Sequence, residues 1–250
     1  MDDRPAPPLA AQIAAAQEWW REAGVDLAFV DAPQAWLADP RGERPPEPTP
    51  AAAAAAELPP APKIGGNPAE WPRDLAAFRD WWLAEPGLDA GGAFPRVAAR
   101  GPEGAPLAIL VPMPEADDRD TLLSGPHGRL LASLAQAMGF APDALYLAAA
   151  LPRHTALPDW TALAAGGLGD VLRHHLALAA PRRLLVLGRD VLPLLGHDPA
   201  QSAPAVSEIA IQGRQVPVLA SYAPARLLEQ PRLRKGLWQR WLDWTDGEAE

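Results

Sequence analysis

VPVLASYAPARLLEQPRLRKGLWQRWLDW, residues 216–244, reads as three pieces in a fixed order. Val216–Ala220 is a short apolar run suited to a buried strand. Tyr222-Ala223-Pro224 follows as a turn. From Pro231 to Asp243 the pattern is helical, with proline at the first position and a basic, tryptophan-rich face.

Upstream, the strand-then-helix unit recurs. RLLVLG (183–188) is a strand, and a helix starts at Asp190–Leu195 with Asp190 as its N-cap. ALYLAAAL (144–151) is a strand followed by a helix over about 159–179. LAILVP (107–112) is a strand, and GRLLASLAQAMG (128–139) is a helix with Leu130, Leu131, Leu134 and Met138 inward and Gly139 as its stop. Strands alternating with helices predict a three-layer α/β/α fold around a central, mostly parallel four-stranded sheet. In such sheets ligands bind beyond the carboxyl ends of the strands. That directs attention to residues 111–126, 149–158, 188–191 and 220–226.

The front of the chain differs. Residues 1–38 form an N-terminal helical segment, with AAQIAAAQEWWREA (10–23) placing Ile13, Ala16 and Trp20 on one face. Residues 39–70 read as a Pro/Ala-rich flexible linker, with eight prolines from Pro40 to Pro62. The alanines at 51–56 suffice for one fragile helical turn. Residues 71–250 are the α/β domain, which opens with a helix over Pro72–Leu83 that presents Leu75, Phe78 and Trp82 together. The adjacent Trp19 and Trp20 cannot both face one core, so they are candidate partner-binding residues, against the simpler reading that this helix docks on its own domain.

Composition sets limits. The net charge is −9, but residues 1–120 hold 10 Lys+Arg against 20 Asp+Glu, whereas residues 121–250 hold 12 against 11. The acidity belongs to the front half, and a local basic face is available at the back, although such a run also reads as a solvated helix face. With no cysteine in the chain, a disulfide, a thiolate nucleophile and a cysteine-ligated iron–sulfur cluster are excluded, and no cofactor is expected. No run of eighteen apolar residues is present, and the acidic, proline-rich start is unlike a signal peptide. The expectation is a cytoplasmic protein with no membrane segment.

Over about residues 97–244 the strand ends resemble the uracil-DNA glycosylase superfamily, especially its iron–sulfur-containing bacterial classes. The resemblance implies that fold, and it implies a site that has lost its chemistry. The family's first strand ends in Gly-Glu-x-Pro-Gly, which handles the base and a catalytic water. Here VPMPEADD (111–118) puts Val111 and Pro112 at the first two places, followed by Met113, and only Pro114 matches. The family's base-stacking aromatic corresponds to Leu123 in TLLSGPHGRLL (121–131), which keeps Gly125 and Gly128. The asparagine that reads the base edge corresponds to Ala149, which has no donor or acceptor. The closing His-Pro turn corresponds to Ala223-Pro224. Pro224 and the cations Arg226, Arg232, Arg234 and Lys235 are the implied DNA-binding residues. The end of the chain, LEQPRLRKGLWQRWLDW (228–244), is also similar in pattern to the psi subunits of bacterial DNA polymerase III, non-catalytic proteins of glycosylase-like fold that tie the clamp loader to a partner through an N-terminal segment.

Other constellations are weaker. His127, in the Gly125–Gly128 turn, is the best remaining acid–base candidate, with an acidic residue of 115–120 as the other. His174-His175 are adjacent on a helix, point to different faces and make a poor metal pair. Arg153-His154 lies past the second strand and suits either a phosphate contact or ordinary loop polarity. His197-Asp198 reads as a turn. GGLG (166–169) lacks any nucleotide-binding spacing. Glu115, Asp117, Asp118 and Asp120 read as a solvated acidic loop, not a metal site. The expected function is therefore a catalytically inactive glycosylase-like protein that binds DNA or a repair or replication protein. The alternatives are an active glycosylase with a non-standard site, a psi-like clamp-loader accessory subunit, or a plain interaction module.

Overall fold

The computed structural model describes residues 8–24, 63–197 and 206–246. The chain divides into two units, Met1–Glu57 and Leu58–Glu250. The described part of the first is one helix, α1 (Leu9–Glu22), with no buried residue. Residues 39–62 of the expected linker, with the alanine run, lie outside the described residues. Its last part, 63–70, is not linker-like. Ile64 N–H donates to Gly166 O at 2.8 Å, Gly65 N–H to Gly87 O at 3.0 Å, and Trp71 Nε1 to Gly65 O at 2.6 Å, so this stretch is fastened to the domain.

The second unit contains α2 (Leu75–Ala84), β1 (Leu107–Val111), α3 (Pro126–Ala137), β2 (Leu145–Ala149), α4 (Trp160–Ala165), α5 (Leu168–Ala179), β3 (Leu184–Leu187), β4 (Val206–Ile211), β5 (Arg214–Ser221), α6 (Pro224–Glu229) and α7 (Pro231–Asp246). The sheet order is β2-β1-β3-β5-β4. The four strands expected from the sequence are β1, β2, β3 and β5, and all their pairings are parallel. The sheet is nonetheless five-stranded, because β4 pairs antiparallel with β5 at the edge. The turn between them is Gln212-Gly213, both with positive φ, the geometry of a tight hairpin.

Period-two alternation sends each strand's side chains to two cores. Ala108, Leu110, Tyr146, Ala148, Leu184, Val186 and Val218 face one cluster together with Leu172 and Leu176 of α5. Leu107, Ile109, Val111, Leu147, Ala149, Leu185 and Leu219 face the other, with Leu131 of α3, Leu227 of α6, and Leu237, Trp241 and Trp244 of α7. Helices therefore cover both faces of a buried sheet. Most of the tryptophan in the last helix is core: Trp241 stacks edge-on against Phe140 and Trp244.

Three expected helices differ in detail. The helix expected over 159–179 breaks at Gly166-Gly167 into α4 and α5, with Gly167 left-handed. Arg189–Leu195 winds as a 3-10 helix containing Pro193, and its N-cap position is Gly188, so Asp190 is not the cap. The last helix is preceded by a separate short helix, α6, which begins at the turn proline.

One polar group lies deep in the first core. His175 is buried, its Nε2 is 2.7 Å from Tyr146 Oη, and its ring stacks on Phe78 at 4.6 Å. Burial first, then the nearby Arg79 and His174 charges, push its pKa from 6.5 down to about 3. Below pH 6.5 the unfolded chain therefore takes up a proton that the folded chain refuses, and stability falls as pH falls. Urea denaturation between pH 6.5 and 4 is expected to lose roughly 1 kcal/mol more per pH unit in the wild type than in His175→Gln. Equal slopes in the two proteins would contradict this assignment.

Candidate functional site

The carboxyl edge of the sheet is formed by the segments after β1, β2, β3 and β5. The first of these is organised by two carboxylates. Asp118 is buried and accepts Glu115 N–H at 2.9 Å, Leu123 N–H at 2.8 Å, Ser124 N–H at 2.8 Å and the Ser124 hydroxyl at 2.7 Å. Glu115 is also buried and accepts the N–H groups of Gly125, His127 and Gly128 at 3.1, 3.0 and 3.1 Å. The amides at the start of α3 have no partner within the helix, and an anion there also meets the positive end of the helix dipole. The solvated acidic loop expected over 115–120 is thus half wrong. Asp117 and Asp120 are exposed, whereas Glu115 and Asp118 are internal.

This loop dictates its own residues. Leu123 sits at φ 58 and drops into the core, and Gly128 passes so close that an added Cβ would lie 1.7 Å from the Leu123 carbonyl oxygen. No side chain fits there.

Of the six positions expected to line a degenerate pocket, Val111, Leu123 and Ala149 are packed into the core and Pro112, Met113 and Ala223 are half-buried. Val111, Leu123 and Ala149 are 1%, 4% and 3% exposed and belong to one cluster. Val111 and Ala149 are register partners, and the ladder continues past them through Ala150 N–H to Val111 O at 2.9 Å and Leu151 N–H to Pro112 O at 3.0 Å. Met113 packs against the opposite core. Pro112 lies against Gly188, where an added Cβ would be 2.6 Å from its Cγ. Ala223 is the N-cap residue of α6 and offers no side-chain cap. His127 Nδ1 is 3.6 Å from Glu115 Oε2.

The expected cations divide into two groups. Arg226, Arg232 and Lys235 are exposed. Arg234 instead donates to Leu227 O at 2.7 Å and Leu228 O at 3.0 Å, closing the carboxyl end of α6. Pro224 is buried at the first position of α6. Arg153 is structural: it donates to Asp89 at 2.9 Å and to the carbonyls of Gly92 and Phe94. Burial opposes ionisation of Asp89, yet the hydrogen bonds from Arg96 and Arg153 outweigh it and hold the carboxyl below its ordinary range. His154 Nδ1 is 3.1 Å from Pro114 O, and the ring meets Phe94 edge-on.

Two features had no sequence expectation. Arg189, exposed just past β3, lies with its guanidinium 5.5 Å from the centre of the Tyr222 ring. Leu157, between β2 and α4, is 99% exposed at φ 51, and nothing among the described residues accounts for it. A cleft of about 230 Å³ opens near the start of α5, lined by Gly167, Asp170, Arg173 and Leu194 among others. None of the expected pocket positions lines it, and its Arg173 and Asp170 are paired with each other. Among the described residues no three His, Asp or Glu side chains gather as metal ligands, and no helix is long and apolar enough to cross a membrane.

No model of a known protein family matches this chain, and no curated protein matches it in sequence.

The carboxylate-bound loop makes a direct prediction. Asp118→Ala strands two buried backbone donors and a third that is part-buried, and is expected to cost more than about 3 kcal/mol in urea denaturation. Asp118→Asn keeps an acceptor and is expected to cost less. A loss within about 0.5 kcal/mol for Asp118→Ala, the range of an ordinary surface substitution, would contradict the assignment.

Proposed function

We propose that this chain is a non-catalytic protein of uracil-DNA glycosylase-like fold that acts by binding in DNA repair or replication. The observation that carries the reading is the closed site. Val111, Leu123 and Ala149, the positions that resemble the family's base-handling residues, are core residues. The loop between β1 and α3 uses both of its buried carboxylates on its own backbone. A flipped base needs a pocket with polar groups aimed at its edge, and cleavage of its glycosidic bond needs stabilisation of the departing charge. Alanine at 149 and 223 supplies neither.

Binding has support in two places. Arg226, Arg232 and Lys235 form an exposed cationic set on α6 and α7, suited to backbone phosphates. In the first unit, α1 leaves Trp19 and Trp20 62% and 52% exposed, together with Leu9 and Ile13. A helix presenting tryptophan and aliphatic side chains at helical spacing is suited to a partner's groove. That favours an adaptor reading, in which α1 engages a replication or repair protein, as in the psi-like alternative.

Single-turnover excision assays on uracil- and hypoxanthine-containing oligonucleotides, single- and double-stranded, are expected to give no release above the uncatalysed background. Ala223→His is expected to remain inactive, since Val111, Leu123 and Ala149 still close the site. Clear excision by the wild type, lost in His127→Ala, would instead establish the active-glycosylase alternative. For the adaptor role, the full chain is expected to retain replication or repair proteins that a chain starting at residue 64 does not. Equal retention by both would remove α1 from the account.

A further inference from the structure

We infer that Arg189, whose guanidinium lies over the Tyr222 ring, is a phosphate-binding residue of the nucleic-acid surface, in a site spanning the tips of β3 and β5. The inference rests on the DNA-binding part of the function proposed above and extends it to a residue outside the C-terminal cationic run.

The geometry is built by the sheet. β3 and β5 are parallel neighbours with Leu187 opposite Ser221. The ladder extends one step further, with Gly188 N–H donating to Ser221 O at 3.0 Å. Arg189 therefore lies two residues, and Tyr222 one residue, beyond the last register pair, on strands about 4.8 Å apart. Gly188 then turns the chain at φ 134, a conformation that favours glycine, in a place where Pro112 leaves no room for a Cβ. This turn brings the Arg189 guanidinium over the Tyr222 ring at 5.5 Å.

The interaction is unlike that of the other arginines near the edge. Arg96, Arg119, Arg153 and Arg234 all donate to carbonyls or carboxylates of the chain. Among the described residues Arg189 has the ring contact alone, and its side chain is exposed. A ring contact restricts the guanidinium plane yet uses none of its five N–H donors. An oriented fork of free donors matches the oxygens of a phosphate better than a mobile lysine would. Arg226, exposed in the first turn of α6 just after Pro224, gives a second cation on the same strand exit. Asp190 is exposed beside them, and the three side chains together remain net positive. The ligand chemistry is a phosphodiester, and the source favoured by the exposed run Arg226, Arg232 and Lys235 is a nucleic-acid backbone.

The test is fluorescence anisotropy of a labelled 20-nucleotide single strand and its duplex, from 50 to 200 mM NaCl, with inorganic phosphate as competitor. Arg189→Ala is expected to weaken binding about fivefold and to lower the slope of log Kd against log salt by about 1. Tyr222→Leu removes no charge, yet it is expected to weaken binding by a similar factor, because it releases the guanidinium. Arg189→Lys is expected to fall between, and Arg73→Ala, exposed before α2, to bind as the wild type does. Inorganic phosphate at millimolar concentration is expected to compete poorly. Unchanged affinity and slope in Arg189→Ala, with weakened binding in Arg226→Ala, would overturn this inference and leave the binding function standing. Effective competition by millimolar phosphate would overturn the nucleic-acid assignment of the site. No binding of either oligonucleotide by the wild type at 50 mM salt would overturn both.

Discussion

Two buried carboxylates govern the end of the sheet on which a functional reading depends. Between the end of β1 and the start of α3 the chain crosses the carboxyl edge without regular structure, so its amides have no ladder or helix to satisfy them. Asp118 and Glu115 accept from seven donors in this stretch, six of them backbone amides. A carboxylate is acceptor-only with about four lone-pair sites, so Asp118 with four donors is saturated. Breaking this arrangement would leave donors buried and unpaired, which costs more than the bonds contribute when made. The position of α3, the inward turn of Leu123 and the need for glycine at 128 all follow from it.

The functional consequence is one of occupancy. The carboxyl edge of a parallel sheet ordinarily offers loop amides and helix starts to a ligand. In this chain the α3 start is given to Glu115, the β1–β2 crevice is filled by Val111 and Ala149, and Arg153 is bound to Asp89. Free chemistry is displaced outward. It includes exposed cations at Arg189, Arg226 and Lys235, with Arg232 beside them donating to Gln230 at 3.2 Å, and exposed aromatic and aliphatic groups on α1. These suit contact with a surface, not enclosure of a small molecule.

Much of the fold was legible because the four parallel strands are apolar runs separated by helical periodicity and marked by Gly or Pro. The fifth strand was hidden for a physical reason. Val206–Ile211 is an edge strand with Ser207 and Glu208 in it, and its hairpin uses Gln-Gly in place of the Asn-Gly or Asp-Gly pair that usually announces the turn. Ile209 and Ile211, alternating beside that glycine, were the available signal. The roles of Glu115 and Asp118 were illegible because their partners are backbone amides up to 13 residues away, which no side-chain pattern encodes. The partners of Arg234 and Arg153 are illegible for the same reason: sequence gives the charge, and only the fold supplies the carbonyls and the carboxylate that accept from it. Arg189 was overlooked because its partner, Tyr222, lies on a strand brought alongside by the crossover.

A filled site requires the loop from Glu115 to Gly128 to be closed in solution. Native-state amide exchange, followed residue by residue by NMR, measures this directly. The N–H groups of Leu123, Ser124, Gly125, His127 and Gly128 are expected to be protected as strongly as those of β1 and β3. Exchange of these five amides at the rate of an unstructured chain, with β1 and β3 still protected, would mean that the loop opens and that the site is not filled.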